Sequence, residues 1–166
     1  GSDEGLTVIN IVSGEILRHL PTHQPVWDIE IIQNYAYLCT KSLIVVDITI
    51  PHQSRIVAQR LFTGTAYRIT SNESHAYVAA LEGGVQIFDI IDPKLPRHLS
   101  TFPTEGSATN VVIDSNRLFV LDNRYGVFQL DTTKPEKLTL ISEFNDTQLP
   151  LAAAVNGDYL YLLDID

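Results

Sequence analysis

The chain has 166 residues, 45% hydrophobic and 19% charged, enough for one globular domain with a real core and too apolar for a disordered segment. Its net charge is −9 with no cluster of lysine or arginine, which argues against binding a phosphate backbone. Cys39 is the only cysteine, so no intrachain disulfide forms, and no apolar run reaches the roughly 18 residues of a membrane span.

Gly1-Ser2 reads as a cloning scar, leaving 3–166 as a single domain. Short β-branched and aromatic runs then follow to the last residue, several alternating with period two. They are Leu6–Asn10 and Glu15–Leu20, then Trp27–Ile32, Ala36–Cys39, Leu43–Ile48 and Arg55–Leu61. Next come Tyr67–Thr70, Ala76–Ala79, Val85–Ile90 and Arg97–Phe102, then Thr109–Ile113, Leu118–Leu121, Val127–Leu130 and Leu138–Phe144. Leu151–Val155 and Tyr159–Leu163 close the series, and nothing sustains a helical period. The gaps carry turn chemistry: Gln33-Asn34, Asp114-Ser115-Asn116 and Asn156-Gly157-Asp158 suit tight hairpins, while Pro51, Pro93 and Pro135 stop a ladder.

The runs repeat. Tyr37, Tyr77, Phe119 and Tyr161 recur at spacings of 40, 42 and 42, and Asp47, Asp89 and Asp131 recur at 42 and 42. Four strands, here called a to d, in a unit of this length predict an all-β propeller of four-stranded antiparallel blades. Four blades per chain are expected, because the chain opens on strands c and d and stops after strands a and b. Gly5 aligns with Gly84 and Gly126, each just before strand c. A blade shared between the N- and C-termini would close the ring and hide its edges. Two geometries satisfy that: one chain closing on itself as a four-bladed ring, the slightly preferred form, or two chains exchanging half-blades in an eight-bladed ring.

Leu43-Ile44-Val45-Val46-Asp47-Ile48 and Val85-Gln86-Ile87-Phe88-Asp89-Ile90, with Asp92-Pro93 and the lead-in Ala76-Tyr77-Val78-Ala79, resemble the LVIVD repeat, a propeller-forming repeat of bacteria and archaea. The resemblance is clear in the second and third units. It is weaker in the first strand, where Asn10 replaces the acid, and in Val127–Asp131, where Gln129 interrupts the apolar run. It implies a non-enzymatic surface or secreted module that binds a protein partner, with an extracellular or cell-surface location and no defined catalytic residues.

Strand a of a propeller lines the channel. Alternation assigns Ile29, Ile31, Ile69, Val111 and Val155 to packing. Asp28, Arg68, Asn110 and Ala152 then form one layer toward the axis, and Glu30, Thr70, Val112 and Ala154 the next. Asp28 and Arg68 stand on neighbouring units and are expected to pair, with Asn110 supplying further hydrogen bonds. Trp27 and Tyr67 would sit at one channel mouth. The candidate ligand-binding set is therefore Trp27, Asp28, Glu30, Tyr67, Arg68 and Asn110. It is read first as a satisfied structural plug and second as a small-ligand or enzymatic site, since two acids alone rarely complete a cation shell. No metal site, cofactor or catalytic group is expected: His19, His23, His52, His75 and His98 lack ligand spacing, and Asp122-Asn123 and Asp164-Ile165-Asp166 read as ordinary acidic turns. No nucleic acid and no membrane insertion are expected. A homodimeric ring as a purely structural assembly unit is the remaining alternative.

Overall fold

A computed structural model of the chain describes residues 4–146 and 149–165. The Gly1-Ser2 scar and Asp166 of the last acidic turn lie outside the described residues. Sixteen strands form, with one 3-10 turn at Pro51–Gln53 and no α-helix among the described residues. None of the described helical residues is long or apolar enough to cross a membrane.

Three complete antiparallel sheets follow one another. The first is β3 (Asp28–Ile32), β4 (Tyr35–Cys39), β5 (Leu43–Asp47) and β6 (Arg55–Arg60). The second is β7 (Arg68–Ser71), β8 (His75–Ala79), β9 (Val85–Asp89) and β10 (Arg97–Phe102). The third is β11 (Ala108–Asp114), β12 (Arg117–Asp122), β13 (Gly126–Asp131) and β14 (Thr139–Phe144). A two-stranded sheet precedes them, β1 (Gly5–Ile9) with β2 (Ile16–Pro21), and another follows, β15 (Pro150–Asn156) with β16 (Tyr159–Asp164). The inner strands β3, β7, β11 and β15 stand beside one another in that order. The architecture is propeller-like.

Local chemistry sets these elements. Gln33, Ser115 and Gly157 take positive φ in the hairpins between strands a and b, the conformation a tight two-residue turn demands. The acid that closes strand c caps the next turn: Asp47, Asp89 and Asp131 accept the N–H of Thr49, Ile91 and Thr133 at 3.0, 3.0 and 2.8 Å. Asn10 does the same for Val12 at 2.9 Å, so the amide keeps the capping role where the acid is absent. The repeated glycine has a steric cause. A Cβ on Gly5 or Gly84 would overlap the carbonyl oxygen of Leu20 or Phe102 on the adjacent strand d.

In the complete sheets strands b and c are buried on both faces because each packs against a sheet or half-sheet on either side, which is why Leu43–Val46 reads as an unbroken apolar run. Tyr37, Val45, Ile69 and Phe88 fill the space between the first and second sheets, and Tyr77, Ile87, Val111 and Phe128 that between the second and third. β1–β2 packs on the first sheet through Leu20, against Leu38 and Val46, and β15–β16 packs on the third through Ala153, Val155, Leu160 and Leu162.

Two expectations change. Within one chain the two half-sheets do not pair with each other, so the described chain is an open arc and no sheet closes it. Ile29 and Ile31, expected to pack, are 43% and 53% exposed, whereas Ile69, the counterpart of Ile29, is 7% exposed. The cause is the same: Ile69 faces a complete preceding sheet, and Ile29 faces a half-sheet that lacks its inner strands.

Candidate functional site

Strands β3 and β7 present the candidate residues side by side. Asp28 does not ion-pair with Arg68. Its carboxylate accepts the backbone N–H of Ile69 at 3.0 Å, while the Arg68 guanidinium donates to the carbonyls of Trp27 and Tyr67 at 3.0 and 3.1 Å. Among the described residues the ion pairs are Arg55–Asp47, Arg97–Asp89 and Arg117–Asp114. The physical reason is proximity to unsatisfied backbone: strand a of one blade lies beside strand a of the next without laddering to it, and a buried N–H or C=O facing that gap needs a partner.

Glu30 accepts the Ser71 hydroxyl at 2.8 Å. Asn110 makes no hydrogen bond to Asp28 or Arg68; its amide donates to the Leu151 carbonyl at 3.1 Å. Each of these contacts spans 41 residues, one repeat. The axis-facing polar positions therefore act as clamps between consecutive sheets. Ala152, at the equivalent place on β15, has no group to clamp with.

The mouth residues divide. Tyr67 and Arg68 line a cleft of about 410 Å³ with Thr109, Asn123, Pro150 and Leu151. Arg68 lies over the Tyr67 ring, 4.7 Å from its centroid, which holds the cation against an aromatic face. Trp27 is half-buried and is tied to β4 by its N–H, which donates to the Cys39 carbonyl at 2.9 Å. Asn123, read from the sequence only as part of an ordinary acidic b–c turn, lines this cleft. Its side-chain oxygen accepts the Ser107 N–H at 2.9 Å, which fixes the turn against the cleft.

Burial pushes the Cys39 thiol well up, and the carboxylates of Asp28 and Glu30 push the same way, as suits a cysteine fully buried in the core between the first and second sheets. Burial likewise raises Tyr37 to about 12. His98, exposed on β10, stacks edge-on against Phe88 and bonds the side-chain oxygen of buried Gln86 at 2.9 Å; desolvation lowers its pKa. No group of three metal-ligating side chains occurs among the described residues.

The LVIVD repeat profile matches residues 25–54 and 63–104, the first and second complete sheets. These two units are LVIVD repeats. No curated protein sequence matches the chain. Among solved structures, the computationally designed Ika8 protein superposes with a TM-score of 0.81 at 13% identity, over 96% of this chain and 49% of that one. Sqt1 of Saccharomyces cerevisiae superposes with a TM-score of 0.78 at 13% identity, over 98% and 50%. The designed Ika4 protein gives 0.69 at 10% identity, over 86% and 92%. The chain thus spans about half the length of Ika8 and Sqt1, and the likeness is one of fold.

Proposed function

We propose that this LVIVD-repeat chain is a non-enzymatic propeller scaffold for a protein partner, with a ring completed by a blade shared between β16 and β1. The observation that carries the scaffold reading is the commitment of Asp28, Glu30, Arg68 and Asn110 to contacts between sheets. Groups spent on holding blades together are not free to ligate a substrate. The binding surface is then the rim. Turns between strands c and d expose Ile11 and Val12, then Ile50, then Ile91 and Leu95, on successive sheets. Exposed apolar side chains recurring at the same turn of successive sheets are the contacts a protein partner would cover.

The competing reading, a small-ligand or enzymatic mouth, is favoured by the cleft beside Tyr67 and Arg68. Thermal melting separates the two. Calcium, magnesium and small carboxylates, added singly, are expected to leave the melting temperature unchanged, while Asp28→Ala and Arg68→Ala each lower it by a few degrees. A ligand-dependent rise that Arg68→Ala abolishes would replace the scaffold reading with a ligand site.

A further inference from the structure

The arc has two unfinished faces, and each matches what the other lacks. Beside β1, a groove of about 260 Å³ is floored by Val8, Ile9, Ile29 and Ile31. In the complete sheets that space is occupied by strands a and b of the preceding blade. Beside β16, a larger groove of about 440 Å³ is floored by Phe119, Phe144, Val155 and Leu162. In the complete sheets that space holds strands c and d. The a–b pair without its c–d is β15–β16, the c–d pair without its a–b is β1–β2, and they sit at opposite ends of the arc.

We infer that a second copy of this chain fills both grooves, with β16 of each copy pairing antiparallel with β1 of the other. This rests on the shared-blade reading above and adds its occupant and register. The register is set by the three complete sheets. Tyr37 lies opposite Val45, Tyr77 opposite Ile87 and Phe119 opposite Gln129; two residues on, Cys39 lies opposite Leu43, Ala79 opposite Val85 and Leu121 opposite Val127. Carried to the junction, Tyr161 lies opposite Val8 and Leu163 opposite Leu6.

Burial points the same way. Tyr37, Tyr77 and Phe119 are 1%, 1% and 5% exposed, and Tyr161 in the same place is 57% exposed. An aromatic of that size is covered in every finished repeat. A second copy covers it with Ile29 and Ile31 of its own β3, which are exposed for want of the same neighbour. Curvature favours two copies over self-closure: the arc follows half of a chain twice its length more closely than nearly the whole of one its own size. Two identical junctions related by a two-fold axis leave no open edge.

Sedimentation equilibrium of the unsubstituted chain is expected to give twice 18.5 kDa. Any other mass overturns the second copy. The Leu6→Cys/Leu163→Cys variant tests the register, because directly opposed strand residues lie within disulfide reach. Under mild oxidation it should become a covalent dimer that reduction returns to single chains; Cys39, fully buried, stays out of the exchange. A disulfide closed within one chain would overturn the second copy and keep the shared blade. No disulfide in either form, with fast amide exchange along the open edges of β1 and β16 in the unsubstituted chain, would remove the shared blade itself.

Discussion

Gly83 shows how a single residue fixes a blade. A Cβ there would overlap the carbonyl oxygen of Thr63, and one on Gly64 would overlap that of Ala80, so two backbone segments touch with no side chain between them. Nothing flexible can yield, because the obstacle is main chain in both directions. Gly83→Ala is therefore expected to cost about 2–4 kcal/mol in urea unfolding, against about 1 kcal/mol for Gly14→Ala, where space is open and only the positive φ opposes a side chain. Equal effects at the two glycines would mean the Thr63 approach is not tight. The role of Gly5, Gly84 and Gly126 was legible as a recurring position in the sequence, whereas the Thr63–Gly83 approach was not, since it joins two loops from neighbouring turns. The clamps were half legible. Asp28 and Arg68 were correctly placed on adjacent inner strands, but their partners are backbone atoms, and a sequence of side chains does not reveal which main-chain groups a gap leaves unpaired.

Within a strand pair, the acid ending strand c joins turn to strand d. Asp89 accepts the Ile91 N–H and pairs with Arg97 across β9–β10, and the Arg97 guanidinium is the larger cause holding its carboxyl below the usual carboxylate range. A carboxylate whose folded pKa is depressed contributes stability above its unfolded value, and that contribution is lost as pH falls through the folded value. Asp89→Asn should thus lower the melting temperature by a few degrees at neutral pH and flatten the acid limb of the stability curve below about pH 4. Parallel curves for the two proteins from neutral pH down to acid unfolding would show that the carboxylate charge contributes nothing. The fourth c strand already carries the amide, at Asn10, and keeps only the turn cap. The period-42 acids were legible because each caps the turn after its strand, and Asp47 and Asp89 also pair with an arginine of strand d. Pairing of β1 with β16 was expected either within one chain or between two, and is not seen within the chain; alternation and turn residues specify hairpins, but not which molecule supplies the next strand.

For the whole molecule, the decisive contrast is between Tyr77 and Tyr161, the same repeat position in two environments, 1% and 57% exposed. Tyr77 is enclosed by Ile87, Val111 and Phe128 within one chain. A charge there is buried without a partner, so Tyr77→Asp should unfold the protein outright. In the isolated arc Tyr161→Asp meets water and costs little. In a two-copy ring it meets Ile29 and Ile31 of the other copy at both junctions, and the two defects act together. Tyr161→Asp is therefore expected to halve the mass, to abolish the rise of melting temperature with protein concentration that a dimer shows, and to leave the β-sheet signal of the three complete sheets intact. A Tyr161→Asp chain with unchanged mass and unchanged melting would mean that this aromatic stands in solvent in the assembled protein too, and the ring would then have to close through other residues.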